Sequence, residues 1–309
     1  MDELVPPYPL IRERLAEGRV IPFLGAGASL GGRTSKATWK KGTTSFLPTG
    51  SELAKHLAAT TQFPSDHAAE LATVAQYFNV IGGRSGLQEE LRTIFNTDYP
   101  LTSLHAYLAS IAAPLLIITT NYDDLIERAL RKNKRPYDLV VHTTDTALGD
   151  RLLWTRHGEL APQEVLPNKL AIDLKQVTVV YKMHGAVDRD KSARDQYVIT
   201  EDDYIDFLVR MMKNKAIPSI FADPLLSRHF LFLGYGLYDW NLRVVLSRVA
   251  KSLDSNRQLK SWAIQYKPSA LERRFWQNRG VEIFDMLLDD FVLKLAAKAN
   301  PSPKKGRRS

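Results

Sequence analysis

Short apolar runs without alternation, each closed by glycine or by a polar cluster, set the rhythm of this chain. Arg19 to Leu24 runs into Gly25-Ala26-Gly27-Ala28-Ser29, Pro114 to Ile118 into Thr119-Thr120-Asn121, Val177 to Met183 into His184-Gly185, and His229 to Leu233 into Gly234-Tyr235-Gly236. All four read as strands: Arg19 to Leu24 as a buried one, the β-branched Val177 to Met183 and His229 to Leu233 without further assignment, and the five apolar residues from Pro114 as a strand buried on both faces, as a parallel sheet requires. Pro22 lacks the N–H that a ladder needs, which predicts an edge position for the first strand. Further strands are predicted at Leu152 to Thr155, Ser261 to Gln265 and Val281 to Phe284. Helical periodicity fills the intervals at Ser51 to Thr60, Ala68 to Phe78, Leu87 to Phe95, Leu101 to Ile111 and Asp123 to Leu130. It returns at Glu201 to Met212, around Ile217 to Leu226, and at Trp240 to Ala250, Ala270 to Gln277 and Leu287 to Ala299. Gly31 to Ser45, with Trp39 its only large apolar side chain, predicts a mobile loop, and Thr143 to Lys169 reads as polar and largely irregular. Strands alternating with helices give an α/β fold with a Rossmann-like open, mostly parallel sheet, into which a small helical module at about 46–111 is inserted. Such sheets bind ligands beyond the carboxyl ends of their strands.

Composition narrows the chemistry. The 309 residues are 44% apolar, enough for a sizeable core, and contain no cysteine. Disulfides, thiol nucleophiles and thiolate zinc sites are thereby excluded, and seven scattered histidines give no metal site of their own. Met1 to Pro9 has no signal-peptide pattern and no apolar run reaches the ~18 residues of a membrane span, so a cytoplasmic protein without membrane contact is expected. Of the net charge of +8, four charges sit in Pro301 to Ser309, a basic tail expected to be disordered, through which nucleic acid or an acidic partner would be touched, if at all.

Three strand ends carry residues that a nucleotide site would use. Gly25 and Gly27 match the start of a G-x-G-x-x-G turn, but Leu30 stands at the third glycine and no acidic residue is assignable about 20 positions on. A plain strand-to-helix turn explains them equally well. Asn121 and Asp123 are also ordinary helix caps. His184 titrates in the range of a proton acceptor, while a lone strand-end histidine also serves structure.

Taken in order and spacing, these blocks resemble the sirtuin-like, silent-information-regulator fold, in its bacterial branch of NAD-consuming proteins linked to antiphage defence. Leu47-Pro48 with Glu52-Leu53, Leu104-His105 and Val198 to Tyr204 extend the likeness, which runs from about Val20 to Arg243. The resemblance implies that Gly25, Ala26, Gly27 and Ser29 wrap the NAD diphosphate with backbone N–H groups and a helix N-terminus. It implies that Thr120 lines the nucleotide, that Asn121 orders the nicotinamide ribose and a water, and that Asp123 holds the carboxamide. His184 would be the base facing the ribose, and Gly234, Tyr235 and Gly236 the turn under the adenosine half. The implied activity is NAD glycohydrolysis to nicotinamide and ADP-ribose without a metal, controlled by homo-oligomerisation or by a regulatory or sensor protein encoded nearby. ADP-ribosyl transfer and non-catalytic sensing of NAD or ADP-ribose are the alternatives.

The departures matter too. Protein-deacylating sirtuins carry four zinc-binding cysteines after the His-Gly pair, which this chain lacks. Gly31 to Ser45 replaces their conserved segment after the first turn, and Gly236 replaces the usual serine of the third.

Overall fold

The computed structural model describes residues 4–34, 37–64, 70–213, 215–236 and 260–297. Nine strands form one sheet: β1 (Val20–Leu24), β2 (Leu116–Thr119), β3 (Tyr137–His142), β4 (Leu152–Thr155), β5 (Gln163–Val165), β6 (Thr178–Lys182), β7 (His229–Leu233), β8 (Ser261–Gln265) and β9 (Val281–Asp285). Their order is β5-β4-β3-β6-β2-β1-β7-β8-β9, and all ladders are parallel except those that β4 makes with β3 and β5. Every residue of β1, β2 and β6 is buried, the absence of alternation expected of strands covered on both sides.

One face carries Ile21, Phe23, Ile118, Tyr181 and Phe232 against α6 (Glu201–Met212), α7 (Ala222–Ser227) and α8 (Ala270–Gln277). The other carries Val20, Leu24, Ile117, Val180 and Leu231. It packs on α1 (Tyr8–Ala16), α4 (Ser103–Ser110), α5 (Leu125–Lys132) and α9 (Leu288–Ala296). A third core gathers Leu53 and Leu57 of α2 (Gly50–Thr61) with Val74, Leu87 and Leu91 of α3 (Leu71–Phe95). The two helices predicted at 68–78 and 87–95 run on across 71–95 and are separated by a break at Gly83, whose φ 73° and ψ 162° are not helical. The helix predicted at Trp240 to Ala250 and the basic tail lie outside the described residues.

Three expectations need correction. β1 is central, despite Pro22. Its odd-numbered neighbours Arg19 and Gly25 bond to β7, while the Leu24 carbonyl accepts from Thr120 on the β2 side. Pro22 therefore turns its missing donor toward β2, where pairing begins only at Phe23. β3 and β5 are strands that the sequence reading passed over, β3 because Asp138 interrupts its apolar run. The buried Asp138 carboxylate accepts from Trp154 Nε1 and His157 N, both at 2.9 Å, which makes a charged residue tolerable inside a sheet. The 31–45 loop is anchored in its described part: Arg33 pairs with Glu52, the Trp39 N–H donates to Glu52 at 2.8 Å, and the Trp39 ring is buried edge-on against His56.

Two buried histidines tie stability to pH. Burial pulls His105, in α4, down to about 4 and His142, at the end of β3, down to about 3. The unfolded chain binds their protons near pH 6.5 and the folded chain refuses them, so stability falls as pH drops below that value. Each histidine withdraws up to ~3 kcal/mol by pH 4. Urea midpoints at pH 7 and pH 4.5 should show this loss, and His142→Gln should reduce it. A variant that loses as much as the wild type would refute the assignment to His142.

Candidate active site

Strands β6, β2, β1 and β7 are adjacent, so their carboxyl ends bring four separate sequence blocks to one place. They enclose a cleft of about 240 Å³, lined by every site residue read from the sequence except Gly27. Asn121, Asp123, His184 and Ser29 are all buried in its walls.

A hydrogen-bonded chain orders the polar side. Asn121 Nδ2 donates to the Gly25 carbonyl at 2.9 Å and to Ser29 Oγ at 3.1 Å. Ser29 Oγ in turn donates to Asp123 Oδ2 at 2.9 Å. Asp123 Oδ1 accepts from Leu125 N, the first residue of α5, at 3.1 Å. Both Asn121 amide protons are thus committed to protein, which leaves Oδ1 as the group offered to a ligand. His184 stands across the cleft, its ring edge-on to Tyr204 and Phe207 of α6 at 5.5 and 5.3 Å.

The glycine turns differ from the expectation of a phosphate-binding helix N-terminus. Ala26–Ser29 is a single 3-10 turn of four residues, and the N–H groups of Gly25, Gly27 and Ala28 already donate to Leu233, Gly234 and Gly25 carbonyls. The glycines are required because the two turns touch backbone to backbone. A Cβ on Gly27 would lie 2.8 Å from Gly234 Cα, and one on Gly234, at φ +64°, 2.1 Å from Ala28 N. A Cβ on Gly236 would meet nothing within 4 Å among the described residues. Gly27 faces a second cleft of about 520 Å³, which shares Thr49 and Gly234 to Gly236 with the first and extends to Tyr266 and Asp289.

The segment after His184 is held by its own backbone and side chains. Gly185, at φ +86°, lets residue 196 cross at van der Waals contact. The Asp195 carboxylate accepts from Arg92 of α3 at 2.8 Å, from the Asp188 N–H at 2.7 Å and from the Tyr197 hydroxyl at 3.1 Å. Among the described residues no three His, Asp or Glu side chains converge on a point, and no helix is long and apolar enough to cross a membrane.

The sequence reading did not assign the opposite wall to the site. Leu47 to Gly50, Leu53, Leu71 and Phe95 of the helical region, with Tyr122 and Tyr204, close the cleft. Thr49 and Glu52 form a capping box on α2. Glu52 also receives Arg33 and the Trp39 N–H, and the guanidinium holds its carboxyl well below the usual range. The signal was present in the Leu47-Pro48, Glu52-Leu53 and Val198 to Tyr204 blocks, which were used as marks of resemblance only.

A family model described as the SIR2-like domain matches residues 115–284, more than half of the chain. The chain belongs to the SIR2-like family. This SIR2-like chain is 29% identical over 290 residues to the NAD(+) hydrolase ThsA of Acinetobacter baumannii, covering 93% of itself and 50% of that protein. It is 30% identical to the NAD(+) hydrolase ThsA of Bacillus cereus, over 73% of itself and 42% of that protein. It is 25% identical to Defense-associated sirtuin 2 of Bacillus subtilis, over 70% of itself and 19% of that protein. The SIR2-like chain therefore spans half or less of the length of these curated relatives.

Proposed function

We propose that the chain hydrolyses the nicotinamide–ribose bond of NAD to nicotinamide and ADP-ribose, as an effector of bacterial antiphage defence under the control of self-association or a second protein. The observation that carries this reading is the placement of Asn121 and His184, both buried, on one cleft that continues over the paired glycine turns into a larger one. The names of the relatives point the same way.

In the proposed reaction nicotinamide departs as a neutral molecule from a cationic ring, so the C1′–N bond needs no strong acid. The site has to stabilise an oxocarbenium-like ribose and deliver water. Asn121 Oδ1 accepts a hydrogen bond from that water and sets its direction, while His184 takes the one proton released as the water oxygen bonds to C1′. Asp123 keeps lone pairs for the carboxamide N–H groups. Leu53, Phe95 and Tyr204 keep other water out. Gly25, Ala26, Ser29 and Thr120 lie along the diphosphate, and Gly27 with Gly234 to Gly236 opens toward the adenosine half.

ADP-ribosyl transfer is less well supported. The groove of about 510 Å³ beside residues 186–194 shares no lining residue with the cleft, and the Val187 N–H to Tyr122 carbonyl bond lies between them. The decisive experiment is nicotinamide release from NAD by the purified chain, alone and with the proteins encoded beside it. Asn121→Ala should cost about 1–2 kcal/mol in NAD binding by calorimetry and about 10²-fold in turnover. Binding without nicotinamide release by the wild type under every condition would leave a sensor.

A further inference from the structure

Lys182, the last residue of β6, is 1% exposed, and its burial has no explanation in the cleft chemistry above. Its Nζ pairs with Glu127 Oε1 of α5 at 3.1 Å and donates to the main-chain carbonyl of Asp123. Glu127 is buried as well, and its Oε2 has no partner among the described residues. A buried ion pair with an oxygen left over gives stability poorly, since well-packed apolar residues of similar volume do as well or better. The location suggests another use. Lys182 lies two residues before His184, and the carbonyl it holds lies two residues after Asn121.

We propose that Lys182, seated by Glu127, is a positioning residue that fixes the Asn121–Asp123 turn against the strand end carrying His184 and so sets the spacing of the two groups. This rests on the reading of Asn121 and His184 as the reacting pair. Asp123 passes the constraint on, because its carboxylate holds Ser29 and Ser29 holds the Asn121 amide. The Lys182 ammonium touches no ligand and takes no proton. It replaces two soft loop ends with one rigid unit, and misplacement by about 1 Å is worth about 10²-fold in rate.

The test separates positioning from simple stability. K182M leaves Glu127 buried and unpaired, and its Tm should drop. The double variant K182M/E127L removes both charges, and its Tm should return close to wild type. If the pair serves stability alone, turnover returns with it. If it positions the turn, kcat for nicotinamide release stays about 10²-fold down with KM little changed, and amide hydrogen exchange at residues 120–124 stays faster than in the wild type. A stable double variant with wild-type kcat, or with wild-type exchange at 120–124, overturns the proposal. Should K182M/E127L not fold, K182M/E127Q takes its place with the same readouts. A wild type that releases no nicotinamide refutes the hydrolase reading instead, and the exchange at 120–124 then decides the positioning role alone.

Discussion

His184→Ala should bind NAD within a few fold of wild type and release nicotinamide 10²–10⁴-fold more slowly, the usual worth of a positioned proton acceptor. The ring sits just past the carboxyl end of the parallel strand β6, lines the cleft and is buried against Tyr204 and Phe207. Alanine leaves a gap between two aromatic edges and costs some stability, which His184→Gln controls for by keeping a polar side chain of similar reach with no basic nitrogen. Both variants should show the same rate loss by a nicotinamide assay, while calorimetry reports NAD affinity. A folded His184→Gln that keeps most of the activity would remove His184 from the chemistry and leave the water to Asn121 alone.

Gly234→Ala should be the most damaging small substitution in the site. At φ +64° an alanine is already strained, and its Cβ would lie 2.1 Å from Ala28 N and 2.4 Å from Gly27 C. Both atoms are backbone, so no rotamer change relieves the overlap. The turns must separate, and the Gly27 N–H bond to the Gly234 carbonyl at 2.8 Å goes with them. A loss of about 3 kcal/mol or more is expected, with NAD binding lost in whatever remains folded. Gly236→Ala, two residues on, meets nothing within 4 Å among the described residues and should melt like the wild type. Equal Tm values for the two variants would show that the turn-on-turn contact is not what these glycines are for.

Much of this was legible from the chain, and the reason is physical. Strands covered on both faces are apolar at most positions, so β1, β2, β6 and β7 stand out as runs, and the polar residues that follow each run mark the carboxyl ends, where sheets of this kind bind their ligands. What stayed hidden depended on contacts between distant residues. Asp138 hid β3 because nothing local announces that Trp154 and His157 will satisfy it. Pro22 misled because the register at which β2 begins to pair is not written near it. Gly25 and Gly27 were visible, but their reason was not, since it lies in Gly234, more than 200 residues away. Lys182 stood unremarked inside the run Val177 to Met183, because the Glu127 carboxylate and the Asp123 carbonyl that hold it lie more than 50 residues away.

The closure of the His184 segment through Asp195 and Arg92 has a consequence for the conditions under which the protein works. A loop fastened by thiolates and zinc answers to its chemical surroundings, because peroxide attacks the sulfur and a host that withholds metal empties the site. Guanidinium on carboxylate has neither weakness, and with no cysteine anywhere in the chain there is no thiol to oxidise. A cell in oxidative crisis or starved of zinc leaves this fastening as it found it.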